Sequence, residues 1–513
     1  MLKKLVSVLV ISALITGCVV SVPVFAQDAG GDYVISNPYQ NIDWSTVKAY
    51  KTGLHNHTNA SDGDPTLKES IERHLECGFD IVAITDHGTV NYTWETENPN
   101  KLIHSVLSLI GRNEGELVYL GNEGVFNNGI SYTYSTAENG DDYLVCSNGK
   151  TIMRVPYGIE QNAVSANAHV NSWFADFHNN TIETYIDAVK NVDSLDGVCV
   201  INHPGEYTKA RYEIHSADAY NDEEFNYWYH INKFASLIDR FGACIGIDIN
   251  SKGDNRTRFD RILWDRLLNR FADNGENVYA ICSSDAHQLD KIDTGFVYAL
   301  MAEQSSSALK SCLSNGEFFG ASHCIGNPDE LEQIASAVKQ FYGETETYTN
   351  IESVITEMKT RVEEIENGER DADDDIGIVY DVLDENGYFE GETQPMITGI
   401  NIDEDADSIT INTTDALLVR WISNGKLIAT TKADEATLKL SDYSSDLGNY
   451  VRAEVFGEGG IVYTQAFLLN AEKNAGKSPV VDSGFIDFGK LDCLIGIFSN
   501  WKDIIDRTFK NLF

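Results

Sequence analysis

Apolar positions follow two alternating rhythms between about Thr52 and Ala321. Short apolar runs of strand length are separated by stretches whose apolar residues recur every three or four positions, the helical period. Thr66 and Glu69 form a capping-box pattern after Pro65. The helix they open carries Leu67, Ile71 and Leu75 on one face, stops at Gly78, and leads into a buried strand over residues 79–85. The unit repeats: a stripe of Ile182, Ile186, Val189 and Val192 precedes a strand at 198–201, a helix at 229–241 precedes a strand at 243–249, and a helix at 259–271 precedes a strand at 278–283. Strands alternating with helices predict an α/β fold with a parallel sheet or barrel and helices outside.

The rhythm changes twice. Leu331, Ile334, Val338 and Phe341 make one helical stripe, and Ile351, Val354, Ile355, Met358, Val362 and Ile365 another, so residues 328–378, closed by the acidic run 371–375, read as a helical hairpin insertion. Residues 379–472 hold short strands, at 408–411, 417–422, 450–456 and 462–467, and read as a β-sandwich. Residues 473–513 read as a linker and an amphipathic C-terminal helix with Leu494, Ile497, Phe498, Trp501, Ile504, Ile505 and Phe509. Its few lysines and arginines favour docking on the body of the protein over a membrane surface.

Residues 1–26 read as an export signal: Lys3 and Lys4, an apolar run at 5–15, and Val24-Phe25-Ala26 before Gln27. Ile15-Thr16-Gly17-Cys18 offers a competing lipobox with lipidation at Cys18, but residues 19–25 stay apolar where a lipoprotein turns polar. The expectation is an exported, extracellular or cell-surface protein. Eight cysteines follow the signal without a CxxC pair, and Cys199, Cys244 and Cys282 lie in apolar runs, so mostly free thiols are expected; Cys312 with Cys324 is the one pair to test.

The chain of 513 residues is long enough for about three domains of ~150 residues. Its 42% hydrophobic content excludes a disordered chain. With 79 acidic and 38 basic residues the net charge is −41, and losing Lys3 and Lys4 makes it −43. Such a surface repels long nucleic acid and anionic lipid.

The chemistry-bearing residues sit where strands end. His55-Asn56-His57 sets two imidazoles on the same side of an extended chain. Asp62 follows in Ser61-Asp62-Gly63, and Asp86-His87 ends the next strand. Glu123 stands in Gly121-Asn122-Glu123-Gly124, His169 in Asn167-Ala168-His169, His203 in Asn202-His203-Pro204, and Asp285 and His287 in Ser284-Asp285-Ala286-His287. A lone histidine at a strand end is more often structural, but a set gathered from several strand ends is what a barrel active site requires. Imidazole and carboxylate together suit Zn, Mn or Fe. Asp86 reads as a residue orienting a histidine. Asp248 and Asn250 end another strand on the same face, and Lys209 and Arg211 follow His203; all four are candidate substrate contacts, with structural or solvated roles as the bland alternative.

These motifs resemble the PHP family, the polymerase and histidinol phosphatase domain, over about residues 50–325. The resemblance implies a distorted (βα)7 barrel of PHP type over residues 40–327, with three divalent metal ions at the strand carboxyl ends. It implies His55, His57, Glu123 and Asp285 on the first metal, Glu123 bridging to a second completed by His169 and His203, and Asp62, His87 and His287 on a third. His178 is the fallback for His169. The implied activity is a phosphoesterase in which a metal-bridged hydroxide attacks a small phosphorylated substrate, with His55, His57, Glu123, His203 and Asp285 acting through the metals. Two alternatives stay open: an amidohydrolase-like hydrolase on the same metals, and a non-catalytic surface module that contacts the cell surface or glycans through the β-sandwich or C-terminal helix.

Overall fold

A computed structural model describes residues 33–96, 99–109, 115–161, 168–179, 184–208, 225–249, 260–323, 328–369 and 393–495. The export signal with Cys18, Lys209, Arg211, Asn250, Cys324, the acidic run 371–375 and the C-terminal helix beyond residue 495 lie outside the described residues.

The fold is mixed α/β. The helix Leu67–Glu76 forms as its cap dictates: the Thr66 side chain accepts from the Glu69 N–H while the Glu69 carboxylate accepts from the Thr66 N–H. Such a cap stabilises by about 1 kcal/mol. Its buried face carries Leu67, Ile71 and Leu75. The helix returns the chain to Ile81–Val82, which pairs in parallel with the strand Lys48–Gly53. On its other side Ile81–Val82 pairs in parallel with Thr151–Arg154.

A second sheet holds, in order, Tyr279–Cys282, Cys244–Ile249, Val198–Ile201, Val170–Trp173 and Ile159–Gln161. The first three strands are parallel and the last two run antiparallel to their neighbours. Strands buried on both faces read as continuous apolar runs, and the period of two sorts their side chains between two cores. Val198 and Val200 pack with Leu54, Ile81, Met153 and Ile281. Cys199 and Ile201 face the other way, toward Val189 and Val192 of the helix Tyr185–Ser194 and Leu263 and Leu267 of the helix Asp260–Ala272.

The two sheets touch at isolated bridges, Asn56 with Ala286 and His87 with Glu160. The described strands make no closed barrel; the bridges bring the carboxyl ends of strands from both sheets together. Glu123 does not follow a strand of the parallel set: Glu123–Val125 begins an antiparallel meander through Ser131–Thr136 and Asp142–Cys146 to Thr151–Arg154.

The helices Pro328–Tyr342 and Glu346–Glu366 pack together and against Leu418 and Phe456. Beyond residue 393 lie a three-stranded sheet (Met396–Asp403, Ser408–Thr414, Thr437–Lys439) and a second group of strands including Leu418–Ser423, Tyr450–Gly457 and Gly460–Tyr463. This second group is continuous with the first part of the chain. Gly460–Tyr463 pairs with Phe318–Ser322, which pairs with Gly295–Met301, which pairs with Lys48–Gly53, the strand that delivers His55. A buried ionic network seals the join: Arg452 grips Asp265 at 2.8 and 2.7 Å and Glu454 at 2.7 Å, Arg420 holds Glu454 at 2.6 Å and Gln333 at 2.7 Å, and Arg261 meets Glu330 at 2.5 Å.

The segment around residues 482–493 lies on the body. Tyr185 donates to Asp487 at 2.6 Å, Lys233 meets Asp492 at 3.3 Å, and the Phe488 ring stacks on Tyr229. All seven cysteines among the described residues are free thiols. No helix of the described residues is long and apolar enough to cross a membrane.

Candidate metal centre

Several of the candidate side chains reach the site from strand ends. His55 and His57 follow Lys48–Gly53, and the bridge from Asn56 to Ala286 sets them beside Asp285. His55 Nε2 and His57 Nε2 stand 3.1 and 3.0 Å from Asp285 Oδ1, and 3.2 Å from each other. His203 follows Val198–Ile201, with its Nε2 3.8 Å from Asp285 Oδ2. Asp62 Oδ1 lies 3.5 Å from His87 Nε2, 3.4 Å from His287 Nε2 and 3.7 Å from His57 Nδ1.

The structure does not bring Glu123 into this cluster. Glu123 is exposed on the meander and pairs with Thr133. The carboxylate at the centre is Glu160, in the buried strand Ile159–Gln161. Its Oε1 lies 3.5 Å from His55, 3.2 Å from His169 and 3.4 Å from His203, and its Oε2 lies 3.3 Å from His57 and 2.9 Å from His87. The physical reason is the insertion. The strand beside Ile81–Val82 is Thr151–Arg154, so the chain that next rises to the site is the one after residue 154. No local pattern marks Glu160, which stands between Ile159 and Gln161 in a mixed string; its burial in the fold is what requires a partner. The fallback His178 also stays away: its side chain is 83% exposed and is held by Tyr92 at 3.1 Å.

Three overlapping groups each place their ligand atoms within 4.8 Å of one another: His57, Asp62, His87 and His287; His55, His57, Glu160 and Asp285; and His87, Glu160 and His169. The site is buried and electrostatically polarised. Burial alone would raise the Glu160 carboxyl, but His87, His169 and His55 hold it well below the usual carboxylate range. Asp62 is likewise held well below it by His87 and His287 against the effect of burial. Burial would lower His55, yet Asp285 and Glu160 raise it well above the ordinary histidine value. Burial lowers His169.

The donor set fits divalent metal ions. Glu160 Oε2 and both ring nitrogens of His169 are buried without a hydrogen bond among the described residues, which is costly unless a further partner binds. Four other histidines have Nε2 turned toward carboxylates and Nδ1 anchored behind, an arrangement that fixes the tautomer a metal needs. Ser61 stands 3.3 Å from His57 Nδ1, Tyr207 3.2 Å from His203 Nδ1, and the Asp285 carbonyl 2.8 Å from His287 Nδ1. Behind His55 Nδ1 lie Ser283 at 3.4 Å and Asp248 at 3.7 Å, with Ser283 donating to Asp248.

Asp248 is therefore not placed as a substrate contact. It is fully buried behind His55, where desolvation raises its carboxyl. Asp86 bonds to no histidine directly in the contacts described: it accepts from Thr58 N–H, Thr58 Oγ1 and Ser61 Oγ, each at 2.7 Å, and so fixes the turn after His57. Asn202 donates to Glu160 Oε1 at 2.7 Å, a support the sequence reading passed over. Both His203 (φ 26°) and Asp285 (φ 46°) occupy the left-handed backbone region. A non-glycine residue there costs about 1–3 kcal/mol and persists where its surroundings enforce it.

No family model and no curated protein matches this sequence. Among solved structures, the chain is similar to a two-domain protein from Bacteroides vulgatus ATCC 8482 containing a predicted PHP-like metal-dependent phosphoesterase, at 12% identity and a TM-score of 0.35, over 83% of this chain and 88% of that one. It is also similar to a lesion-specific endonuclease from Pyrococcus furiosus, at 12% identity and a TM-score of 0.27, over 52% of this chain and 56% of that one.

Proposed function

We propose that the chain is a hydrolase of PHP type, built on a distorted barrel frame, that cleaves a phosphate ester of a small substrate. Its metal ligands in this reading are His55, His57, Asp62, His87, Glu160, His169, His203, Asp285 and His287, with Glu160 in the role the family resemblance assigns to Glu123. The observation that carries the reading is the convergence of five histidines and three carboxylates in overlapping groups of metal-ligand size, with His203 beside them 3.4 Å from Glu160. Those three groups support room for three ions.

Divalent ions bound there would supply Lewis-acid stabilisation of phosphoryl oxygens and lower the pKa of water toward neutrality. The chain's own residues hold the geometry. Glu160 joins the groups, Asn202 orients it, and Ser61, Ser283 and the Asp285 carbonyl keep imidazole nitrogens turned inward. Phosphoryl transfer depends mainly on positioning and electrostatics, so no serine or cysteine nucleophile is required. The net charge of −41 favours a small phosphorylated substrate over long nucleic acid. Export through residues 1–26 belongs to the same reading, and a secreted protein beginning at Gln27 would support it.

The test is metal analysis of the purified full chain followed by a panel of aryl phosphate monoesters, diesters and amides. Phosphate release that is lost on chelation and restored by Mn2+ or Zn2+ is expected. Amide hydrolysis without phosphate release would move the assignment to amidohydrolase chemistry. A metal-loaded chain inert on every substrate would leave a binding module.

A further inference from the structure

Three imidazoles face Glu160 Oε1, with His55 Nε2 at 3.5 Å, and two of them share a further contact: His169 Nδ1 at 3.2 Å and His203 Nε2 at 3.4 Å. These two rings come from different strands, and one oxygen ties them together. The Tyr207 hydroxyl accepts from the His169 backbone N–H at 3.0 Å and lies 3.2 Å from His203 Nδ1. Tyr207 stands on the single helical turn Gly205–Thr208 directly after His203, and it is buried. The same turn is pinned by Asp260, which accepts from the Gly205 N–H at 2.6 Å.

We propose that Tyr207 is a positioning residue for His169 and His203, the pair that the reading above, through the family resemblance, sets with Glu160 on one metal position. The inference deepens the metal-hydrolase reading and rests on it. When His203 Nε2 binds a cation its ring proton must sit on Nδ1, and the Tyr207 oxygen 3.2 Å away is placed to accept it. The His169 ring nitrogens make no hydrogen bond among the described residues, so its placement rests on its backbone and on Glu160. His203 adds the cost of φ 26°. Removing the phenolic oxygen therefore loosens two ligands of one position at once. The group His57, Asp62, His87 and His287 has no contact with Tyr207 among those described and keeps its own anchors.

The experiment compares the wild-type full chain with Tyr207→Phe by Zn2+ titration against a chromophoric chelator, with total metal counted after dialysis. One class of Zn2+ site weakens by about 10–100-fold in Tyr207→Phe while the others are unchanged. Tyr185→Phe, which removes a buried hydroxyl bonded to Asp487 instead, leaves all classes unchanged and controls for general loosening. Histidine ring 1H–15N correlations of the Zn2+-loaded proteins supply a second readout: an Nδ1–H ring signal present in the wild type shifts or is lost in Tyr207→Phe. Identical Zn2+ affinities and ring spectra in wild type and Tyr207→Phe overturn the proposal while leaving the metal reading intact. Equal weakening of every class, or by Tyr185→Phe as well, overturns its restriction to one position. A wild-type chain that binds no Zn2+ overturns the metal reading, and the proposal with it.

Discussion

Two buried clusters of charge in this molecule are built on opposite principles. In the join between the first part of the chain and the C-terminal strands, three carboxylates (Asp265, Glu330, Glu454) meet three guanidinium groups (Arg261, Arg420, Arg452) in close, largely paired contacts. At the strand ends, Asp62, Glu160 and Asp285 are surrounded by histidines. The first cluster is electrically complete. The second pulls His55 and His87 up and Glu160 down, yet leaves atoms of Glu160 and His169 without a hydrogen bond. A buried ion without its counter-charge costs several kcal/mol. A complete cluster therefore reads as structural, and an incomplete one as a place for a missing cation.

The largest effect that would break this comparison is expected at Glu160. Glu160→Gln removes the carboxylate that faces five histidines. It should abolish stoichiometric metal binding and reduce phosphate release to background, measured by metal analysis and aryl phosphate turnover. Glu123→Gln changes an exposed side chain and should stay within about 0.5 kcal/mol of wild-type stability with unchanged metal content. If Glu123→Gln loses metal and Glu160→Gln keeps it, the centre has been drawn around the wrong residue.

In the complete cluster the expectation reverses. Arg452→Ala leaves Asp265 and Glu454 buried without their shared partner, which should cost about 3–5 kcal/mol. The thermal midpoint should fall while Zn2+ stoichiometry below that midpoint stays the same. Replacing Asp265, Arg452 and Glu454 together by apolar residues of similar volume should recover most of the loss, as buried ion networks often allow. Loss of metal in Arg452→Ala would show that the two clusters are one cooperative unit.

How far each cluster was legible in the sequence follows from how local its residues are. His55 with His57, Asp86 with His87, and Asp285 with His287 are short strings at strand ends, and the period of two alone puts the members of the first and last pairs on one side. The capping box at Thr66 and Glu69 is equally local and formed as read. Glu160 was not legible as a site residue, because its place depends on Thr151–Arg154 lying beside Ile81–Val82 after a meander. Glu123, flanked by two glycines, looked like a strand end but opens the meander instead. Asp248 read as a pocket residue because strand periodicity gives its face and not its depth. The pairing of Phe318–Ser322 with Gly460–Tyr463 joins segments far apart in sequence and leaves no periodic trace in either, so the C-terminal strands read as a separate unit.

His74 supplies the smallest and most controlled test, because it is a buried histidine in neither cluster. Its Nδ1 meets the Ser70 carbonyl at 2.7 Å, and burial pushes its pKa down from 6.5 to about 4. The folded state therefore resists a proton that the unfolded chain accepts. Between about pH 4 and 6.5 the unfolded state binds more protons, so stability must rise with pH across that window. The contribution is complete above about pH 6.5, is reduced by about 1 kcal/mol at about pH 5.5, and is lost progressively as pH falls toward 4. Urea midpoints measured across this range should slope upward in wild type and flatten in His74→Gln, with metal content equal in both. If the slope survives the substitution, the acid sensitivity belongs to another group whose buried form resists the proton, such as His169, which burial also lowers. The contrast between a neutral buried imidazole and those at the metal centre would then have to be redrawn.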